Sequence, residues 1–190
     1  MAEDRRIRKT KQAIKETLIE LLQQTPIDKI TVTELTRQAD ISRKTFYLHY
    51  PSVYEAKNDV ENDIIRMLDD IIAPIPNFIH ENDLLSFFKQ IHEKAAQNKR
   101  LVAYFSMHAK QSDLYNKVKA ALKNAVMTRL ESSNRNNKHN EYLTEFAVSG
   151  ILNSFIEWNA KRDLPAEDFS LLLTNVCSAL SEQLVNNDEV

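Results

Sequence analysis

From Arg5 to Gln24 the apolar residues Ile7, Ile14, Leu18, Leu21 and Leu22 recur with charged side chains between them. That spacing predicts an amphipathic helix, and Pro26 ends it. Thr31 and Glu34, three positions apart, have the form of a capping box, so a second helix should begin near Val32. It is short, because Ala39-Asp40-Ile41 reads as a turn and Ser42 as the N-cap of a third helix. Ser52 and Glu55 repeat the capping box just after Pro51. They open a longer helix through Ile64, Met67, Leu68 and Ile71, which Pro74 and Pro76 terminate. Further helices are predicted near 82–97, 99–109, 112–131, 141–162 and 166–186, and the polar run 131–140 reads as a mobile surface loop.

Composition agrees with an all-α chain. A single glycine among 190 residues leaves nothing to serve the positive-φ turns of hairpins. Apolar residues make up 43% of the chain, enough for a packed core. The net charge of −2 excludes a globally basic nucleic-acid binder, but the charge is unevenly spread. Residues 1–57 carry eleven Lys/Arg against eight Asp/Glu (+3), and the rest fourteen against nineteen (−5). The cluster Arg5, Arg6, Arg8, Lys9, Lys11 suits phosphate binding and equally a solvated helix start. One cysteine, Cys177, leaves no internal disulfide and no cysteine-based zinc site. The start lacks the apolar stretch of a signal peptide and no run is apolar enough to span a membrane, so the expected location is cytoplasmic.

The 141–162 helix is apolar around most of its circumference, through Leu143, Phe146, Val148, Ile151, Leu152, Phe155, Ile156 and Trp158. The last helix is similar. Either the two form the centre of a monomeric core, or a second copy covers them as a four-helix bundle built from both subunits. Because two neighbouring helices share the pattern, the homodimer is the expectation.

Two short helices joined by a turn, after a longer first helix, make a helix-turn-helix unit, whose second helix enters the major groove. Its leading residues are Ser42, Arg43, Lys44 and Thr45. Arginine can bond both acceptors of a guanine edge, and threonine can touch a thymine methyl. Phe46 falls on the opposite side, toward the core. Tyr47 and His49 fall on the groove side, able to donate to phosphate.

"ITVTELTRQADISRKTFYLHYPSVYEA" after a basic first helix resembles the DNA-binding domain of the TetR family of transcriptional regulators. "YLTEFAVSGILNSFIEWNAKRDLPAEDF" resembles the dimer-forming segment of its Firmicutes-type members, while residues 75–140 match only in helical character. The resemblance implies nine helices, a homodimer on a palindromic double-stranded DNA operator, and a small-molecule effector in the larger domain. The division expected is a DNA-binding domain over 1–51 and an effector-binding and dimerisation domain over 52–190, with the helix from about 52 as connector. The dimer would form through the helices near 141–162 and 166–186. The DNA-binding set is Thr33, Ser42, Arg43, Lys44, Thr45, Tyr47, His49, Tyr50, Lys57, Arg5 and Arg6. The chain departs from the family's pattern with Asp40 at a turn glycine, Lys44 at another glycine, and Val53 in place of a phosphate-binding lysine. Lys57, one turn on, is the expected substitute for that lysine.

Phe87, Phe88, Ile91, Tyr104, Phe105, His108, Tyr115, Phe146 and Trp158 supply aromatic and apolar material for an effector pocket, and the same residues read equally as core. The histidines show no metal-ligand spacing, and no cofactor or metal is expected. An enzyme is not expected either: Asp69 and Asp70 are followed by Ala73 where a diphosphate site needs another acid, and no glycine-rich phosphate loop or G-x-S-x-G motif occurs. The readings are thus a ligand-released repressor or, as the alternative, an accessory or coactivator protein that binds a partner regulator instead of DNA.

Overall fold

The computed structural model describes residues 5–75, 81–108, 113–132 and 137–186. Among them are nine α-helices, one short 3-10 turn and no strand. The helices are α1 (Arg5–Leu22), α2 (Val32–Gln38), α3 (Arg43–Tyr47), α4 (Val53–Ile72) and α5 (Glu81–Gln97). The others are α6 (Lys99–His108), α7 (Leu114–Ser132), α8 (Lys138–Lys161) and α9 (Ala166–Asn186). The predicted loop over 131–140 is shorter than expected. Helix α7 runs through Ser132, and the Asn137 side chain accepts from the Asn140 amide to start α8 at Lys138. Residues 133–136 of that loop lie outside the described residues.

The three expected caps form. Thr31 Oγ1 accepts from the Glu34 amide at 3.1 Å, Ser42 Oγ from Thr45 at 3.0 Å, and Ser52 Oγ from Glu55 at 3.3 Å. Each satisfies an amide that its helix leaves unpaired, which sets where α2, α3 and α4 begin. Between α2 and α3, Asp40 adopts φ 52°, and the Ile41 amide reaches back to the Thr36 carbonyl at 3.0 Å. That is a Schellman ending, and aspartate tolerates its left-handed residue better than most side chains do.

Ile14 and Leu18 of α1, Leu35 of α2 and Phe46 of α3 are wholly buried. The same core continues along α4 through Ala56, Val60, Ile64 and Ile71 into Phe87, Phe105, Leu152 and Leu173. Helix α4 packs on α1 at one end and on α5, α6 and α7 beyond it. Its C-terminal carbonyls are met from α7: the Arg129 guanidinium donates to Ile72 O at 3.0 Å and to Ile75 O at 2.8 Å. Such caps suit the negative end of the helix dipole. Helix α5 lies most extensively against α9, and α8 against α7.

Candidate nucleic-acid interface and effector cavity

Helix α3 has one buried residue, Phe46, and presents the rest of its surface outward. Ser42, Arg43 and Lys44 are exposed, Thr45 is half-buried, and Thr33 of α2 is exposed beside them in the same unit. Ser42 and Thr45 also share a hydroxyl contact of 2.8 Å, which orders the first turn. Tyr47 is 57% exposed, its ring held edge-on against Phe46 at 5.5 Å. His49 is half-buried, and Arg5 and Arg6 at the start of α1 are exposed. Leu48 is 74% exposed and Tyr54 53%, so two apolar side chains absent from the expected set stand on the surface next to it. An apolar residue that interrupts the buried register of so short a helix was the sequence signal for Leu48.

Two expected members are engaged inside the protein. Tyr50 is 5% exposed and donates its phenolic hydrogen to Asp59 Oδ2 at 2.7 Å, so it braces the turn into α4 and does not face outward. Lys57, the expected substitute for the phosphate-binding lysine, is partly buried. Its ammonium pairs with Glu61 one turn along α4, and Val53 itself is buried.

Glu61 is 2% exposed and gathers three partners. Besides Lys57, Lys117 Nζ of α7 lies 3.1 Å away, and Tyr104 Oη of α6 donates at 3.3 Å. Burial opposes its charge, but the hydrogen bonds and charges of Lys57 and Lys117 outweigh that and hold the carboxyl below its ordinary range. Burial and the neighbouring Glu61 push the Tyr104 phenol upward. His108, tilted on Tyr104 at 4.9 Å, is pushed down by burial although it bonds the Leu22 backbone of α1. Arg100, at the other end of α6, pairs with Glu16 at 3.1 Å and Glu20 at 3.0 Å, both on α1. Helix α6 is therefore tied by polar contacts to α1 and α4.

Its opposite face lines a cavity. Leu101, Val102 and Phe105 of α6, with Met67, Leu68 and Ile71 of α4, enclose an apolar space of about 90 Å³ that α8 and α9 close through Phe155, Trp158, Phe169 and Leu173. Of the expected pocket residues, Phe88, Ile91, Phe105 and Trp158 line this space. Phe87 lines a smaller neighbour near Cys177. The other four do not line it. Tyr104 and His108 turn toward Glu61 and α1, and Tyr115 packs on the core with its hydroxyl bonded to Asn153 at 2.9 Å. Phe146 is 67% exposed on α8. Helical spacing identified these residues as apolar without saying which side of the helix faces the void. Cys177 is buried, and burial pushes its thiol up to about 12.

No family model matches the chain, and no curated protein matches it significantly. Solved structures do. A TetR transcriptional regulator from Streptococcus agalactiae aligns over 92% of this chain and 96% of its own, at TM-score 0.64 and 25% identity. The chain has the fold of the TetR family of transcriptional regulators. A TetR-family regulator from Streptomyces coelicolor covers the whole chain and 86% of its own at TM-score 0.64 and 16% identity. A TetR-like regulator from Rhodococcus covers 94% and 97% at TM-score 0.63 and 14% identity. These neighbours are transcriptional regulators and not enzymes. No described helix is long and apolar enough to cross a membrane, and no described group of three or more His, Cys, Asp or Glu could hold a metal ion.

Proposed function

We propose that this TetR-type chain is a DNA-binding transcriptional regulator: a homodimer that grips a dyad-symmetric operator and releases it when a small molecule enters the cavity beneath α6. The observation that carries this reading is α3 itself. One buried anchor, Phe46, fixes a helix whose Arg43 and Lys44 have no other work inside the subunit. Arg43 and Thr45 would read base edges, while Lys44, Tyr47 and Thr33 set the register on phosphates. Arg5 and Arg6 add cationic contacts from α1. The DNA-reading unit is taken as residues 1–51 and the effector and dimer unit as 52–190, with α4 joining them.

Dimerisation is supported by the surface of α8 and α9. Tyr142 and Phe146, one turn apart on α8, are 76% and 67% exposed, and Leu171, Leu172 and Val176 on α9 are about half exposed. Side chains of this kind, clustered on two neighbouring helices, mark a surface that another subunit covers. Two recognition helices must sit about 34 Å apart to enter successive major grooves. A ligand releases the operator only by binding a different spacing more tightly, and the ties of α6 to Glu16, Glu20 and Glu61 give it a route to α1 and α4. The likeness of solved regulators bears equally on repression and activation; repression is proposed because one ligand event that breaks both half-site contacts switches binding off.

Selection of bound DNA from a random duplex pool tests the reading. A dyad-symmetric winner with half-sites one helical turn apart, whose affinity falls steeply with salt, is the expected result. Enrichment of no sequence at low salt would leave the accessory-protein alternative.

A further inference from the structure

The cavity beneath α6 is almost wholly apolar, with His92 and Ser170 its main polar side chains. At about 90 Å³ it has room for roughly six to nine waters at ~10–15 Å³ each, which corresponds to the hydrocarbon of a medium-length alkyl chain. His92 is the one ionisable histidine, lysine, arginine or acid among its lining residues, and a bare ion buried away from it would be strongly disfavoured. Any charged group on the ligand must therefore lie at an edge.

One edge is built for it. His92, Ala95 and Val102 wall the cavity on one side and, on the other, a crevice of about 430 Å³. Lys99, Asn159 and Arg162 line the crevice with them, and no carboxylate does. Arg162 stands there at a cost. It holds φ 51° at the end of α8, a left-handed conformation that a residue with a side chain adopts against a penalty of about 1–2 kcal/mol. The conformation ends α8, with the Arg162 amide donating to the Trp158 carbonyl at 2.7 Å. The conformation sets the guanidinium 4.2 Å above the ring of Trp158, and its fork donates to Asn159. Trp158 is itself a wall of the cavity, stacked on Phe169 at 4.7 Å and 6.1 Å from the His92 ring. The Arg162 guanidinium and the apolar chamber thus share one indole as a neighbour.

We propose that the ligand is an amphipathic anion, an alkyl carboxylate or alkyl phosphate whose chain fills the cavity and whose head sits at His92, Lys99 and Arg162. Arginine's planar fork matches either head group, and Lys99 adds a point charge. This deepens the regulator reading, since it takes the cavity as the effector's seat.

The full chain contains one tryptophan, so emission from Trp158 reports the site directly. Titrations with octanoate, octyl phosphate, 1-octanol and octyltrimethylammonium, followed by fluorescence and calorimetry, should give at least tenfold tighter binding of one or both anions than of the alcohol, and no binding of the ammonium. Which anion is tighter distinguishes a carboxylate from a phosphate ligand. Lys99→Gln and Arg162→Gly, the latter relieving the strained backbone, should each weaken the anions about tenfold and leave octanol unchanged. Equal affinity for octanol and octanoate overturns the proposal, as does binding of no octyl compound. So does an Arg162→Gly protein that loses alcohol and anion alike. Operator binding measured on the same preparation separates the two readings: DNA bound with no anion preference sinks only this one, whereas anion preference without DNA binding sinks only the regulator.

Discussion

The hydroxyl of Tyr50 and the carboxylate of Asp59, 2.7 Å apart, tie the turn between α3 and α4 to the second turn of α4. Lys15 of α1 stands 3.6 Å from the same carboxylate and Arg66 3.3 Å from its other oxygen. Burial works against the charge of Asp59, but Tyr50, Lys15 and Arg66 prevail and hold it below the ordinary carboxylate range. Asp59 therefore links the segment after α3 to both α1 and α4.

Tyr50→Phe keeps the ring and deletes the bond. It should cost about 0.5–1.5 kcal/mol in urea denaturation and weaken operator binding modestly across all sequences, with base preference unchanged. A change in the preferred sequence would instead make Tyr50 a direct contact.

Glu61→Gln removes the acid that links α4, α6 and α7. A loss of about 1–3 kcal/mol at pH 7 is expected. The native carboxyl is held below its ordinary value, so the folded state gains stability from it above that value and loses it as pH falls through the lowered one. Denaturation midpoints measured from pH 7 down to 3 should therefore fall less steeply in the variant than in the parent protein.

Phe46→Ala and Arg43→Ala separate folding from recognition. Phe46 is fully buried, and its truncation should cost about 3–5 kcal/mol. Arg43 is exposed, so its truncation should leave thermal stability within about 0.5 kcal/mol while reducing preference for the selected operator, by roughly 1–3 kcal/mol if it reads a guanine. Thermal and urea denaturation check the stabilities, and anisotropy titrations with specific and scrambled duplexes check recognition.

Phe146→Glu with Leu172→Glu puts two charges on exposed positions of α8 and α9. Inside one subunit neither change disturbs packing, so circular dichroism should be unchanged. Sedimentation should shift from dimer to monomer, and operator affinity should collapse. An unchanged dimer would place the subunit contact elsewhere.

Much of the architecture was legible in the residues. Thr31, Ser42 and Ser52 announce the starts of α2, α3 and α4 because a cap is a local device that neighbouring residues decide. Phe46 was legible as core for the same reason: the one side chain without a polar atom on a five-residue helix has a single inward direction. The lining of the cavity was less legible, because several helices at once determine which side of each bounds a void. Tyr104 and Phe105 are adjacent on α6, yet one meets Glu61 and the other the cavity. The pairing of Lys57 was hidden for a related reason. Its fate depended on Glu61, an acid whose burial no stretch of local sequence reveals.

The hydrophobic interior runs without a break from Ile14 and Phe46, along α4, to Leu152 and Leu173. Helices α1 to α3 have no separate heart of their own to keep them intact. A calorimetric scan should accordingly record one endotherm for the entire subunit, and tightening the far chamber with a bound molecule should raise the melting point of these helices together with the rest.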